Sequence, residues 1–239
     1  MAFRSKAAIA ACLTLATALA QPVEIAVQHD HLRKTGAGTL RFEEQQVAFT
    51  EPGKKSGHSR TWSYDDVQQL TLSAGEIRIL TYDDVKCKLG ADREYAFRKF
   101  PPGTPEKLLP LLRQALGAKL VAAVADTSFK PDWQIPAKLL AGRGGPEGVL
   151  LAGAGQVVFR TPERDRSRTW RIQEIETVAS SGAYDLVITS AERNGPLHAG
   201  TEYRFQLKRP LSQAQYDALW RDVNRARQLQ ILKASVGEN

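Results

Sequence analysis

The chain has 239 residues, 42% of them hydrophobic and 25% charged, with a formal net charge of +7. That composition excludes collagenous, low-complexity and disulfide-scaffold proteins, and leaves a globular chain of one or two domains. The basic excess is too small to imply nucleic acid by itself, and no nucleic-acid partner is expected.

The first element is a targeting segment. "MAFRSK" is a short positive region, followed by the fourteen-residue apolar run "AAIAACLTLATALA" and the small-x-small site "ALAQP" ending at Ala20. Residues 1–20 therefore read as a secretory signal peptide, too short to anchor in a bilayer. The bland alternative is an uncleaved N-terminal helix. "IAAC" at Ile9–Cys12 superficially matches a lipoprotein box, but the apolar run continues past it. The expected protein is exported, periplasmic or extracellular, after cleavage near Ala20. Loss of Arg4 and Lys6 lowers the charge from +7 to +5, and loss of Cys12 leaves Cys87 alone, so no intramolecular disulfide is expected. Cys87 alternates with Val85 and Leu89 in "VKCKL" and reads as a small buried hydrophobe.

Seven strands are expected next. "TLRF" and "VAF" flank a turn at Glu43–Gln45, and after the loop "PGKKSGH" come "RTWSY", "VQQLTLS", "EIRILTY", "VKCKL" and "EYAFRKF", most with period-two alternation. The period then changes. "TPEKLLPLLRQALGAKLVAAV" predicts a helix with Thr104 as N-cap, Glu106 in its first turn, and Leu108, Leu111, Leu112 and Ala115 on one face. Pro110 is tolerable there only in the first turns. "DTSFKPDWQIPAK" reads as a linker, although Trp133 and Ile135 can pack on a domain. The same series follows again, ending in "EYRFQLKRP" and a helix with Ser212 as N-cap and Tyr216, Leu219, Trp220 and Val223 as its apolar stripe. On that stripe Trp220 reads as a core anchor.

The two series are copies. "SRTW" at Ser59 recurs at Ser167, and the same offset of 108 aligns Trp62 with Trp170, Val67 with Ile175, and "EYAF" with "EYRF". Upstream, "GTL" at Gly38 pairs with "GVL" at Gly148 and "VAF" with "VVF", at an offset of 110. A unit of about a hundred residues is large enough to hold its own core. The expected organisation is a first domain at 21–125, a linker at 126–137 and a second domain at 138–239.

Seven strands and one C-terminal helix, with G-x-L, a strand ending in Phe, "W…DDVQQL" or "W…QEIETV", and Tyr-x-Phe before the helix, resemble the pleckstrin-homology-like superfold, in its GRAM-type and bacterial branch. The resemblance covers nearly all of both copies and implies a mainly β fold with α, a bent antiparallel sheet plugged at one end by the helix.

The chemical inventory is sparse. His29, His31 and His58 lie in the first copy and His198 in the second, without mirrored pairs, and "HDH" lacks a third ligand in sequence. Hydrolase, zinc-protease and P-loop motifs are absent from the sequence. No catalytic residue, metal or cofactor is expected. The suggestive cluster is basic: Lys54, Lys55 and Arg60 before or within the first S-R-T-W, and Arg160, Arg164, Arg166, Arg168 and Arg171 around the second. Clustered guanidinium groups suit phosphate and carboxylate, and relatives of the fold hold phospholipid headgroups on an early basic hairpin. The bland reading is a solvated hairpin tip paired locally with Glu163 and Asp165. Three functions compete: an envelope binding or adaptor module for an anionic lipid, glycan or protein; a peptide-binding scaffold working by strand addition or in a helix groove; and an enzyme using His29, His31 and His58 in a cleft between the copies.

Overall fold

A computed structural model describes residues 21–30, 35–53, 59–85, 88, 90–142, 144–193 and 200–237. The signal-peptide reading and Lys54, Lys55, His31, His58, His198 and Cys87 lie outside the described residues.

The fold is mainly β with α. In chain order the strands are β1 (Val23–Asp30), β2 (Thr35–Phe42), β3 (Gln46–Thr50), β4 (Arg60–Ser63), β5 (Val67–Ser73), β6 (Glu76–Asp84) and β7 (Asp92–Arg98). Helix α1 (Thr104–Leu116) and β8 (Leu120–Ala123) follow. Then come β9 (Trp133–Leu140), β10 (Glu147–Gly153), β11 (Gln156–Arg160), β12 (Arg168–Arg171), β13 (Ile175–Ala179), β14 (Asp185–Ser190), β15 (Thr201–Leu207) and α2 (Gln213–Gly237). The fifteen described strands form one sheet, in the order β13-β14-β15-β9-β10-β11-β12-β8-β5-β6-β7-β1-β2-β3-β4. Remove β8, and both halves show one permutation of seven antiparallel strands followed by a helix.

Registers repeat as well. Phe49 pairs with Arg60 as Phe159 pairs with Arg168, and Val47 with Trp62 as Val157 with Trp170. Each set of strands closes on a separate core. One gathers Leu40, Phe42, Phe49, Trp62, Leu70, Ile79 and Phe97 with Leu108 and Leu112 of α1. The other gathers Leu150, Phe159, Trp170, Ile188 and Phe205 with Leu219 and Val223 of α2. The shared glycine of G-x-L has a steric cause. A Cβ on Gly38 would meet the Phe49 ring at 2.4 Å, and one on Gly148 would meet the Arg160 carbonyl at 2.2 Å.

Several elements differ from the sequence expectation. "VKCKL" is not among the described strands; the seventh strand of the first half is β1, which pairs with β2 along its length and with β7 at His29↔Phe97. β9 begins at Trp133, inside the segment read as a linker. Its Pro136 lies one residue past the last β15 pair, Ala137↔Leu207, so its missing N–H is not needed there. The α1 N-cap is Gly103 at φ 78°, while Thr104 is the first helical residue and its hydroxyl bonds back to the Pro101 carbonyl at 2.7 Å. Pro110 lies mid-helix on the exposed side, where water can satisfy the carbonyl it leaves unbonded.

Helix α1 also stops early. Gly117 takes φ 55°, which ends the helix, and "LVAA" becomes a fully buried strand. In α2 the equivalent position is Arg225, and the helix runs 25 residues to Gly237. The α2 stripe is narrower than expected. Leu219 and Val223 are buried, but Trp220 points outward and is 47% exposed, so it is not a core anchor.

Candidate functional site

β8 joins the halves. It runs parallel to β5 over Leu70↔Leu120 to Ser73↔Ala123, and meets β12 antiparallel at Thr169↔Ala122. The Thr169 hydroxyl donates to the Val124 carbonyl at 2.8 Å and accepts from the Asp126 N–H at 2.9 Å. Asp126 in turn accepts from Arg113 of α1 at 2.6 Å and from Gln156 of β11 at 3.5 Å. On the other flank the Gly75 N–H donates to Asp165 at 2.7 Å.

A cleft of about 440 Å³ opens beside this joint. Gln69, Arg78 and Glu94 face it from β5, β6 and β7, and Arg168, Glu192 and Tyr203 from the second half. Gln69 and the Arg193 backbone bond reciprocally across it, at 2.8 and 3.3 Å. Its charges alternate. Arg78 is 3.5 Å from Glu94 and Arg193 is 3.9 Å from Asp92. Lys88 lies exposed on the rim. The Gln68 Oε1 lining it is buried without a hydrogen-bond partner.

The inner wall is a network around Glu192. Trp170 Nε1 donates to one carboxylate oxygen at 2.9 Å and the Tyr203 hydroxyl donates to the other. Arg168 Nε donates to the Tyr203 oxygen at 3.2 Å. Burial, then the Glu192 charge, drives the Tyr203 phenol well above its usual range. Burial opposes the Arg168 charge, but Tyr203 and Glu192 outweigh it and hold the guanidinium protonated. The first half keeps only part of this arrangement. Trp62 and Tyr95 stand at 4.8 Å like Trp170 and Tyr203, and Arg60 lies 5.5 Å over the Tyr95 ring, yet the Tyr95 hydroxyl is buried without a partner. The residue at the Glu192 offset is Asp84, which is shorter and exposed.

The predicted arginines do not form one surface. Arg160, Arg164 and Arg166 are exposed around the β11–β12 loop, with Arg164 3.5 Å from Asp165. Arg168 turns into the Glu192 network. Arg171 turns to Glu174, at 2.5 Å. Burial raises the Glu174 carboxyl, and the bonds from Arg171 oppose that rise without cancelling it. Arg60 is exposed at the far end of the sheet.

His29 does not line the cleft. Its ring stacks on Phe97 at 4.9 Å, stands 5.5 Å from Phe49, and bonds the Ala96 carbonyl at 2.9 Å through Nδ1. The paired position in the second half is Leu139, opposite Phe205. Among the described residues no three His, Cys, Asp or Glu side chains are grouped to hold a metal ion. Glu192, Gln69, Arg78 and Arg193 line the cleft and are not among the residues the sequence singles out. The signal for Glu192 was its alignment on Asp84; the others have none, because the joint brings them together.

No family model matches the chain, and no curated protein matches it. Among solved structures it is similar to the C-terminal domain of an unknown protein from Leishmania infantum, at 11% identity and TM-score 0.30, over 38% of this chain and 80% of that one. It is also similar to a chain of the Spt16D Pob3N heterodimer, at 14% identity and TM-score 0.34, over 77% of this chain and 96% of that one.

Proposed function

We propose that the protein is a non-catalytic binding module of the cell envelope, exported after cleavage near Ala20, that holds an anionic group of its ligand in the cleft beside β8. The observation that supports this reading is that Arg78, Arg168 and Arg193, from three separate segments, line one polar cleft of about 440 Å³. Guanidinium forks suit a phosphate or carboxylate, and the interleaved Asp92, Glu94 and Glu192 keep them oriented. The basic loop at Arg164 and Arg166 becomes a solvated rim.

The test is binding of residues 21–239 to vesicles containing phosphatidylglycerol and, separately, to inorganic phosphate, at low and moderate salt. Arg78→Glu with Arg193→Glu is compared with Arg164→Glu plus Arg166→Glu. Loss of salt-sensitive binding in the first pair alone supports the cleft. Loss in the second pair alone moves the site to the loop, and no binding of either probe by the parent protein removes the anion reading.

A further inference from the structure

The sheet has two outer edges, and its repeated design shows what each lacks. An unpaired edge strand exposes a row of N–H and C=O groups and is a template for another strand. In the second half, the β12 edge is taken by β8. At the β13 end no strand is added among the described residues, but α2 reaches over it. Tyr216, Arg227 and Gln230 donate to the carbonyls of Val178, Glu176 and Gln173 at 3.4, 3.2 and 2.9 Å. Both are therefore covered by the segment that follows the last strand of a half, β7 or β15.

β4 has neither device. Among the described residues it pairs with β3 alone and ends the sheet. Yet it is the counterpart of β12, with the same three letters R-T-W and the same register on its inner neighbour. Thr169 is 2% exposed, because β8 and its extension cover it, whereas Thr61 is exposed. A hollow of about 510 Å³ lies against this edge, lined by Thr61, Trp62, Thr81 and Tyr82 and by one cation, Arg60, and two carboxylates, Asp66 and Asp83. Tyr82 is 59% exposed there.

We propose that β4 receives an extended segment of a partner protein by strand addition, in the way β12 receives β8, and that this segment pairs small aliphatic residues with a Lys or Arg. The aliphatic requirement is copied from Leu120–Ala123, four buried residues with no polar side chain. The cation follows from the excess of Asp66 and Asp83 over Arg60 in the hollow. Backbone bonds would give affinity, and the alternate side chains specificity. This site is independent of the cleft, because no residue lines both.

The probe is a synthetic peptide with the sequence of residues 117–126, GAKLVAAVAD, which places a lysine before the strand that β12 accepts. Its binding is followed by amide NMR shifts on residues 21–239, beside the same peptide with alternate backbone nitrogens methylated. The expected result is shifts at Arg60–Ser63, about tenfold weaker binding of the methylated peptide, and weaker binding to Asp66→Lys plus Asp83→Lys. Shifts confined to Thr169 and Ala122 would mean displacement of the internal strand and would overturn the proposal. So would silence up to millimolar peptide, or a dimer of the protein alone that buries the β4 amides, which would make the occupant a second copy.

Discussion

Arg113 and Asp126 meet at 2.6 Å, one on the last full turn of α1 and the other just past β8. The pair sits where the halves join, because the same carboxylate also receives Gln156, and its backbone N–H is held by Thr169.

That position gives the joint a pH dependence. Burial acts to raise the Asp126 carboxyl, but bonds from the Ser128 hydroxyl and N–H and from Arg113 outweigh it and bring the pKa down to about 2. A depressed carboxylate contributes stability that is present above its unfolded value and lost as pH falls through the folded one. The contribution is therefore present above about pH 4 and is lost as pH falls through about 2. Asp126→Asn should lower the midpoint of urea unfolding at pH 7, and the gap to the parent should close as the titration reaches pH 2.

The two tyrosines make an opposed pair. Tyr203 is bonded to Glu192 and Arg168, whereas the Tyr95 hydroxyl is buried without a partner. Tyr203→Phe should cost about 1–3 kcal/mol, and Tyr95→Phe should be neutral or stabilising. Glu192→Ala should cost more, about 3–5 kcal/mol, since it strands Arg168 and the Trp170 N–H. Thermal unfolding of the three variants checks the order.

Gly117 separates the fates of the two helices. Gly117→Arg copies the residue at the equivalent place in α2 and forces a side chain into φ 55°. The expected cost is about 1–2 kcal/mol, with faster amide exchange over Leu120–Ala123 as α1 competes for that segment. Unchanged exchange there would show that β8 is held by its neighbours alone.

His29 stands where the second half has Leu139. His29→Leu should leave the fold intact by circular dichroism and change the unfolding midpoint little, because a similar volume fills the gap between Phe49 and Phe97. A collapse of the fold would mean that the bond to the Ala96 carbonyl matters more than the stacking.

Most strands were legible because they depend on local pattern. Leu40, Phe42, Val47, Phe49, Ile77 and Ile79 alternate, and every one is buried. β8 was not legible, since "LVAA" suits a helix or a buried strand equally and the choice was made by Gly117 and by two edges distant in sequence. β9 was hidden by Pro136 within it and Pro131 just before it. Trp220 satisfied helical spacing, but the second core takes Tyr216, Leu219 and Val223 from α2 and leaves Trp220 outside. Of the site, Arg168 was visible as one of a row of arginines. Its inward turn was not, because that depends on Glu192, more than twenty residues away and on another strand end.

β8 also bears on how the molecule is made. Leu120–Ala123 leave the ribosome before Arg168–Arg171 exist, and domains form from the N-terminal side first. For that interval the first half shows one flank of an apolar strand to its surroundings. A chain halted there would expose a ready seed for self-association, whereas a finished chain nicked at 127–131 would keep its two pieces clasped.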